Sequence, residues 1–156
     1  MKKITVLKAA AILLLLVVAV LPARAQKEEK AIKDVINRFF DAMASGDTAT
    51  LKATCTESPV FQTFMKDKDG NLQVYTEDFN DFIKFVGSPS QDKFKEEIKF
   101  EAIHAEMSLA SVWTPYTFYL NGKVSHCGTN SFQLVKTTEG WKIQYILDTR
   151  RKGCKS

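Results

Sequence analysis

The sequence predicts an α+β domain in which helices pack on one face of a curved antiparallel sheet. Apolar residues recur at helical spacing early in the chain, whereas from residue 111 to residue 151 they alternate as they do in strands. The second half also contains Asn121-Gly122 between two runs of β-forming residues, which is the strongest short-range signal of a β-hairpin. These two observations place the helices first and most of the sheet last.

Residues 1–25 are predicted to be a cleaved secretory signal peptide. The chain starts with a basic segment, residues 9–21 are an uninterrupted apolar run, and residues 22–25 read Pro-Ala-Arg-Ala. We therefore expect cleavage after Ala25, a periplasmic or secreted protein, and one domain over residues 26–156. The apolar run is shorter than the roughly 20 residues of a membrane-spanning helix, so no span is expected after cleavage.

Removal of the leader also removes the basic excess of the chain. The full sequence has 22 basic and 18 acidic residues, and the leader holds four of the basic residues and none of the acidic ones. The mature chain is therefore formally neutral. This balance gives no support to nucleic-acid binding, which needs a basic face to neutralise phosphates.

The first half of the mature chain predicts two helices and two short strands. Apolar residues at helical spacing between Glu28 and Ser45 indicate an amphipathic helix. Asp47 is expected to cap a second helix that runs to about Cys55. Strands are then expected at residues 60–65 and 72–75.

The turn between these strands, residues 67–71, spaces its acidic side chains as an EF-hand loop does. It is followed by Leu72 where such a loop has glycine, and by Asp78 where it has a bidentate glutamate. We expect an ordinary hairpin turn. The two histidines, His104 and His126, have no close partner of metal-ligand type in the sequence, so neither a metal nor a cofactor is expected.

A third helix and four antiparallel strands complete the predicted order. Thr76 is expected to cap the helix, which ends at Gly87-Ser88-Pro89. A strand from Glu96 to Glu106 then leads into the closing sheet. Its three strands are expected at residues 111–120, 123–135 and 141–151.

The Asn121-Gly122 turn also predicts how the strands beside it pair. In a regular ladder Thr117 faces His126, and Trp113 faces Asn130. One face of the closing sheet is then expected to be large, aromatic and mostly apolar. Its members are Trp113, Thr117, Tyr119, His126, Asn130, Phe132, Leu134, Trp141, Ile143, Tyr145 and Leu147.

This order of elements resembles the nuclear transport factor 2-like superfamily, including its SnoaL-like and so-called lumazine-binding members. The matching residues are Phe39-Phe40-Asp41 and Ser45-Gly46-Asp47 near the end of the first helix, and Gly140-Trp141-Lys142-Ile143 in the last hairpin. The resemblance covers residues 30–151. It implies a cystatin-like cone, in which three helices lie on one face of a curved, antiparallel or mixed sheet that wraps a pocket, and it implies a homodimer.

The expected function is binding of a small apolar molecule, aromatic or planar in shape. A concave apolar surface with a few convergent polar groups is typical of small-molecule sites. The residues expected to contact the ligand are Trp113, Tyr119, His126, Asn130, Phe132 and Tyr145. A second set is expected on the opposite face and would join the pocket only if a bulge at Pro115 or Gly128 exchanged the faces. This set is Tyr116, Asp148 and Arg150.

Two other functions are consistent with the same residues. The first is a cofactor-free isomerase or dehydratase that uses His126 as general base, because the ordinary pKa of histidine lies near neutrality. The second is a dimerising interaction module without a ligand. A cavity in which His126 lies beside a second titratable group would favour catalysis, and a filled cone would favour the interaction module.

The mature chain retains three cysteines, Cys55, Cys127 and Cys154. In an oxidising compartment we expect a disulfide between Cys127 and Cys154, because the last hairpin brings Cys127 opposite the end of the final strand and Gly153 lets the tail turn back. The competing pair is Cys55 with Cys154.

Overall fold

The computed structural model describes residues 25–154. Residues 25–45 form helix α1. The other elements are α2 (Thr48–Thr54), β1 (Cys55–Lys66), β2 (Leu72–Glu77), α3 (Phe79–Gly87), β3 (Phe94–Ile98), β4 (Ala102–Glu106), β5 (Leu109–Leu120), β6 (Lys123–Thr137) and β7 (Gly140–Arg151). Residues 1–24 of the predicted leader lie outside the described range, so cleavage and export stay predictions.

The two shorter helices begin at capping aspartates. The Thr50 amide donates to the Asp47 carboxylate at the start of α2, at 3.0 Å, as the sequence predicts. In α3 the cap is Asp78 rather than Thr76, and it accepts from the Asp81 amide at 3.0 Å. The prediction of Thr76 was wrong because β2 continues through Glu77 and delays the start of the helix.

The seven strands form one mixed sheet. Its order is β2-β1-β7-β6-β5-β3, and β4 also pairs with β5. Strands β1 and β7 are parallel, and the other pairs are antiparallel. The single strand predicted from Glu96 to Glu106 is two strands, because β3 and β4 pair with different halves of β5 and the chain leaves the ladder between them.

The helices pack on one face of this sheet and make it the concave, buried face. Phe39 of α1 lies edge-on to Phe61 of β1 at 5.8 Å between ring centroids, and it stacks on Phe82 of α3 at 6.2 Å. Phe40 meets Phe132 of β6 edge-on at 6.0 Å. Burial of such large apolar side chains is the main source of stability in a domain of this size.

The pairing predicted for the central hairpin is wrong beyond the turn. Tyr119 pairs with Val124 as expected, but Phe118 pairs with His126, so Ser125 is an extra residue in β6. This β-bulge changes every later partner by one residue. Trp113 consequently lies opposite Ser131 instead of Asn130, and the expected neighbours of His126 and Asn130 turn to the other face.

A second irregularity lies between β6 and β7. Gln133 pairs with Tyr145 and Leu134 pairs with Ile143, so Gln144 is the extra residue. Ile143 faces the core as predicted. After the bulge the faces exchange, and Asp148 points to the concave side.

A disulfide joins Cys127 to Cys154, the pair expected from the sequence, with 5.8 Å between their Cα atoms. Gly153 has a positive φ of 77°, which turns the chain after β7 back over the sheet. Cys55 is free and buried, and burial raises the pKa of its thiol to about 12. The thiolate form of Cys55 is therefore absent at neutral pH.

Within residues 25–154, no helix combines the length and the hydropathy required to cross a membrane.

Candidate functional site

The concave face changes from apolar to polar in four rows of side chains that run across the strands. The row beneath the helices consists of Val112, Phe132, Ile146 and Phe61. The second row consists of Thr114, Asn130, Asp148 and Thr63. The third row consists of Ile98, Tyr116, Gly128 and Arg150. The fourth row consists of Glu96, Phe118 and His126. We use the term concave site for the polar and aromatic members of rows two to four.

Asp148 is the centre of the concave site. Its side chain is mostly buried and accepts hydrogen bonds from the Thr63 hydroxyl, the Tyr116 hydroxyl at 3.1 Å and Arg150 Nε at 3.1 Å. Arg150 Nη2 also donates to the Thr63 hydroxyl at 3.1 Å. Four side chains from three strands thus form a closed network in which the one carboxylate faces the one guanidinium.

Gly128 makes room for this network. A Cβ atom at this position would overlap the carbonyl oxygen of Thr149 and press on the ring of Tyr116. Without it, the Tyr116 ring reaches across β6, and its hydroxyl lies 3.1 Å from both Asp148 Oδ2 and the Thr149 carbonyl oxygen. Burial, followed by the charge of Asp148, raises the pKa of Tyr116 well above its ordinary value, so Tyr116 remains a neutral donor.

Glu96 reaches into the concave site from β3. Its Oε1 atom accepts a hydrogen bond from the Asn130 amide at 2.8 Å. Burial raises the pKa of Glu96 to about 7, and the nearby Asp148 charge adds to this effect, whereas the hydrogen bond from Asn130 opposes it. Glu96 therefore exchanges a proton near neutral pH, in the range where general acids and bases operate.

Aromatic rings form one wall at the open end of the cone. Phe85 of α3 lies 5.5 Å from Phe94, Phe94 lies 6.1 Å from Phe118, and Phe118 stacks on His126 at 4.8 Å. The exposed fraction of Phe85 is 59%. We call this set, Phe85, Phe94, Phe118 and His126, the aromatic wall.

His126 is a member of this wall and does not bond directly to the Asp148 network. Its Nδ1 lies 3.2 Å from the Ser125 hydroxyl, and its ring meets Tyr116 edge-on at 5.8 Å. Burial and the Arg150 charge lower the pKa of His126, with Asp148 opposing them. The imidazole is consequently neutral at physiological pH.

The structure divides the ligand-contact set predicted from the sequence. His126 and Asn130 lie in the concave site, and Phe132 lies in the apolar row beneath α1. Trp113, Tyr119 and Tyr145 lie on the opposite, convex face. The prediction that these three share a surface with His126 and Asn130 was wrong, because the bulges at Ser125 and Gln144 reverse the facing of β5 and of the end of β7.

The surroundings of Trp113, Tyr119 and Tyr145 agree with their position on the convex face. Trp113 is 48% exposed. The Tyr119 hydroxyl donates to Glu97 at 3.2 Å, and the Tyr145 hydroxyl donates to Gln62 at 2.6 Å. The second predicted set, Tyr116, Asp148 and Arg150, is instead brought together on the concave face, although the bulge responsible lies at Ser125 and not at Pro115 or Gly128.

Sequence reasoning missed Glu96, Thr63 and Thr114. Glu96 was expected within a long strand that alternates charged and apolar residues, and nothing in that pattern shows which glutamate faces inward. Thr63 and Thr114 become site residues only through strand pairing with Asp148 and Asn130, which lie 85 and 16 positions away in the sequence.

Two clefts open on the surface. One, of about 610 Å³, lies on the disulfide side of the sheet and is lined by residues that include Lys99, Thr117, Cys127 and Cys154. The other, of about 380 Å³, lies between the start of α1 and Trp141. The larger cleft borders the Asp148 network at Tyr116 and Gly128, but Asp148, Arg150 and Thr63 line neither cleft. Among residues 25–154, no group of three or more His, Cys, Asp or Glu side chains is arranged to hold a metal ion.

Comparison with solved structures identifies the fold. A protein from Novosphingobium aromaticivorans, described as nuclear transport factor 2-like with a cystatin-like fold, aligns with a TM-score of 0.65 at 12% identity, covering 86% of this chain and 89% of that one. The chain has the nuclear transport factor 2-like fold. At this identity the likeness defines the fold and not the activity.

Other similar structures agree with this nuclear transport factor 2-like fold. A conserved protein from Planctomyces limnophilus aligns with a TM-score of 0.66 at 19% identity, covering 81% of this chain and 98% of that one. A nuclear transport factor 2-like protein of unknown function from Shewanella baltica aligns with a TM-score of 0.62 at 13% identity, covering 81% and 96%. No protein-family model matches the sequence, and no curated protein matches it.

Proposed function

We propose that this domain is an exported small-molecule binding protein, and that it holds an apolar, planar ligand in the concave site. The observation that carries the proposal is the aromatic wall beside a closed polar network on one concave face. This combination of a ring-lined surface with a few fixed polar groups is characteristic of small-molecule sites.

The aromatic wall supports a flat ligand body. Its rings come from α3, β3, β5 and β6, and their contacts join them into one surface. Phe85 remains more than half exposed, so the outer end of the aromatic wall is open to solvent and accessible to a ligand. A planar ring placed against Phe118 and His126 would bury the apolar area that the free domain leaves in water.

The polar network favours a neutral ligand. Asp148 and Arg150 already neutralise each other, and the Thr63 and Tyr116 hydroxyls complete their hydrogen bonds. A charged ligand group would have to break this pairing or be buried without a partner, and both are costly. The network therefore leaves no unpaired charge for a charged ligand group and favours a neutral ligand.

The test is ligand retention in matched variants. We expect native mass spectrometry of protein purified from its own host to show a bound small molecule that is lost in Phe118→Ala and retained in Trp113→Ala, which removes a comparable ring from the convex face. The proposal would be abandoned if no molecule copurified and a broad metabolite screen gave no thermal stabilisation of the wild-type protein.

Export is part of this proposal. A disulfide between Cys127 and Cys154 is consistent with an oxidising compartment, where such bonds persist. N-terminal sequencing of protein from the periplasm or the medium should find Gln26 as the first residue. A start at Met1 in cell fractions would contradict it.

A second candidate function is proton-transfer catalysis, which Glu96 specifically favours. A carboxyl group with a pKa of about 7 lies in the same site as a carboxylate fixed by hydrogen bonds, and such divergent pairs are typical of acid–base enzymes. His126, the general base expected from the sequence, is less suited to the role because burial and the Arg150 charge lower its pKa and make it a weaker base. Incubation with a metabolite mixture in D₂O should give deuterium incorporation that Glu96→Gln abolishes; no incorporation would leave only the binding function.

A further inference from the structure

Thr114 has a buried hydroxyl without a hydrogen-bond partner. Its exposed fraction is 0%, and its Oγ1 atom bonds to no other group in the part of the chain that the structure describes. Most buried side-chain hydroxyls in proteins are paired, and an unpaired one destabilises the folded state. The Oγ1 atom can therefore donate to, and accept from, a group supplied from outside the chain.

The position of Thr114 shows which side chain could share a bound group with it. It lies in the second row of the concave face, directly across from Asn130, and side chains paired in this way have Cβ atoms about 5 Å apart. Asn130 uses its amide nitrogen to donate to Glu96, which leaves its carbonyl oxygen as an acceptor for another group. Because Oγ1 of Thr114 has no accessible surface in the free domain, a small group that bonds to both side chains would enter with a movement of neighbouring side chains.

The surroundings limit the chemistry of that group. On one side Val112 and Phe132 begin the apolar core, and on the other Tyr116 is already committed to Asp148. A charged group would be desolvated there, and an anionic group would in addition lie beside the Glu96 carboxyl group without a counter-ion. A hydroxyl suits the position, because it accepts from Thr114 and donates to the carbonyl oxygen of Asn130 or to the carboxyl group of Glu96.

We propose that Thr114, Asn130 and Glu96 form an inner subsite that binds one neutral hydroxyl group of the ligand, so that the ligand class is a planar apolar molecule with a hydroxyl at its inner end. This inference rests on the proposed binding function, and it adds the ligand's polar group and the residue that selects it. Thr114 is a specificity-determining residue in this account.

The test uses two probes that differ only in the hydroxyl, 2-naphthol and naphthalene. Fluorescence titrations measure Kd for both with wild-type protein, Thr114→Val, Thr114→Ser and the control Thr117→Val, whose side chain lies on the convex face. We expect Thr114→Val to weaken 2-naphthol binding about tenfold while leaving naphthalene binding unchanged. Thr114→Ser and Thr117→Val should retain the wild-type preference.

Thermal unfolding without probe gives an independent readout. Thr114→Val should be at least as stable as the wild-type protein, because it removes an unpaired buried hydroxyl and keeps the side-chain shape. A marked loss of stability would show that the hydroxyl has a partner within the chain, and it would overturn the subsite.

The outcomes separate this inference from the proposed function. If both probes bind and Thr114→Val changes neither Kd, or changes both equally, the subsite is overturned while the binding function remains. If neither probe binds to the wild-type protein, the binding of planar apolar ligands and the subsite are both overturned.

Discussion

Glu96 illustrates how burial changes the chemistry of one side chain. Its neighbour Glu97 points to the convex side, where Lys95 and Tyr119 donate to it, and these hydrogen bonds lower the pKa of Glu97. Glu96 points inward, and burial raises its pKa to about 7 from an ordinary 4.5. The pKa values of two adjacent carboxyl groups are thus shifted in opposite directions, because successive strand residues face opposite sides of the sheet.

The raised pKa of Glu96 predicts a pH dependence of stability. The folded state binds this proton more tightly than the unfolded state, so the free energy of unfolding should decrease as the pH rises from about 4.5 to about 7. The decrease attributable to Glu96 is on the order of 2–3 kcal/mol. Urea denaturation at a series of pH values measures it.

Glu96→Gln should remove this decrease and make the protein more stable than the wild type above pH 7. Glu97→Gln is the matched control. Its free energy of unfolding should still show the decrease between pH 4.5 and pH 7 that Glu96 causes. Equal pH profiles for Glu96→Gln and the wild-type protein would show that Glu96 is not buried as described.

At position 128 the surroundings require glycine, because they leave no room for a Cβ atom. Gly128→Ala would place a methyl group against the Thr149 carbonyl and the Tyr116 ring, so β6 or the ring must move. We expect a loss of about 2 kcal/mol or more in the free energy of unfolding. Ser131→Ala, on the same strand but the convex face, should change it by less than about 0.5 kcal/mol. Similar losses in both variants would contradict the close approach at Gly128.

At the scale of elements, the order of helices and strands was largely predictable from the sequence, and the facing of the strands was not. The Asn121-Gly122 turn was correctly read, and its first two pairs follow from turn geometry. The bulge at Ser125 could not be predicted from the pattern of apolar residues in the sequence, because both faces of β5 carry aromatic side chains. Trp113 and Tyr119 on one face are as apolar as Val112 and Phe118 on the other, so alternation alone cannot choose between them.

The end of β7 shows the same limit. Asp148 and Arg150 are two apart on one strand, which the sequence shows. The burial of Asp148, and the position of the half-exposed Arg150 on the same face, depend on the bulge at Gln144 and on Thr63 from a parallel strand. Long-range parallel pairing of this kind has no local signal. The candidate site was therefore predicted in part, through His126 and Asn130, and its centre was placed on the wrong face.

The tail after β7 is held by the disulfide, which closes a segment of 27 residues. Removing such a cross-link increases the entropy of the unfolded chain and should lower the free energy of unfolding by about 3 kcal/mol. Denaturation in the presence and absence of a thiol reductant measures the loss. The Cys154→Ser variant should have the reduced stability in both conditions, and a wild-type protein unaffected by reductant would contradict the pairing of Cys127 with Cys154.

At the scale of the whole molecule, the helices cover only part of the concave face. The apolar row from Val112 to Phe61 is sealed by Phe39, Phe40 and Phe82, whereas the rows beyond it carry polar groups and the aromatic wall. The cone therefore has a closed, apolar end and a polar, ring-lined end. The homodimer implied by the family resemblance stays a prediction.

The proposed function requires that ligands bind on the concave face and not on the convex one. A titration of ¹⁵N-labelled protein with 2-naphthol, followed by amide and indole resonances, tests it directly. We predict that shifts concentrate on Phe118, His126, Asn130 and Arg150, and that the indole N–H resonance of Trp113 stays unchanged. Shifts centred on Trp113, Tyr119 and Tyr145 would contradict the claim and return the site to the face that sequence alone had indicated.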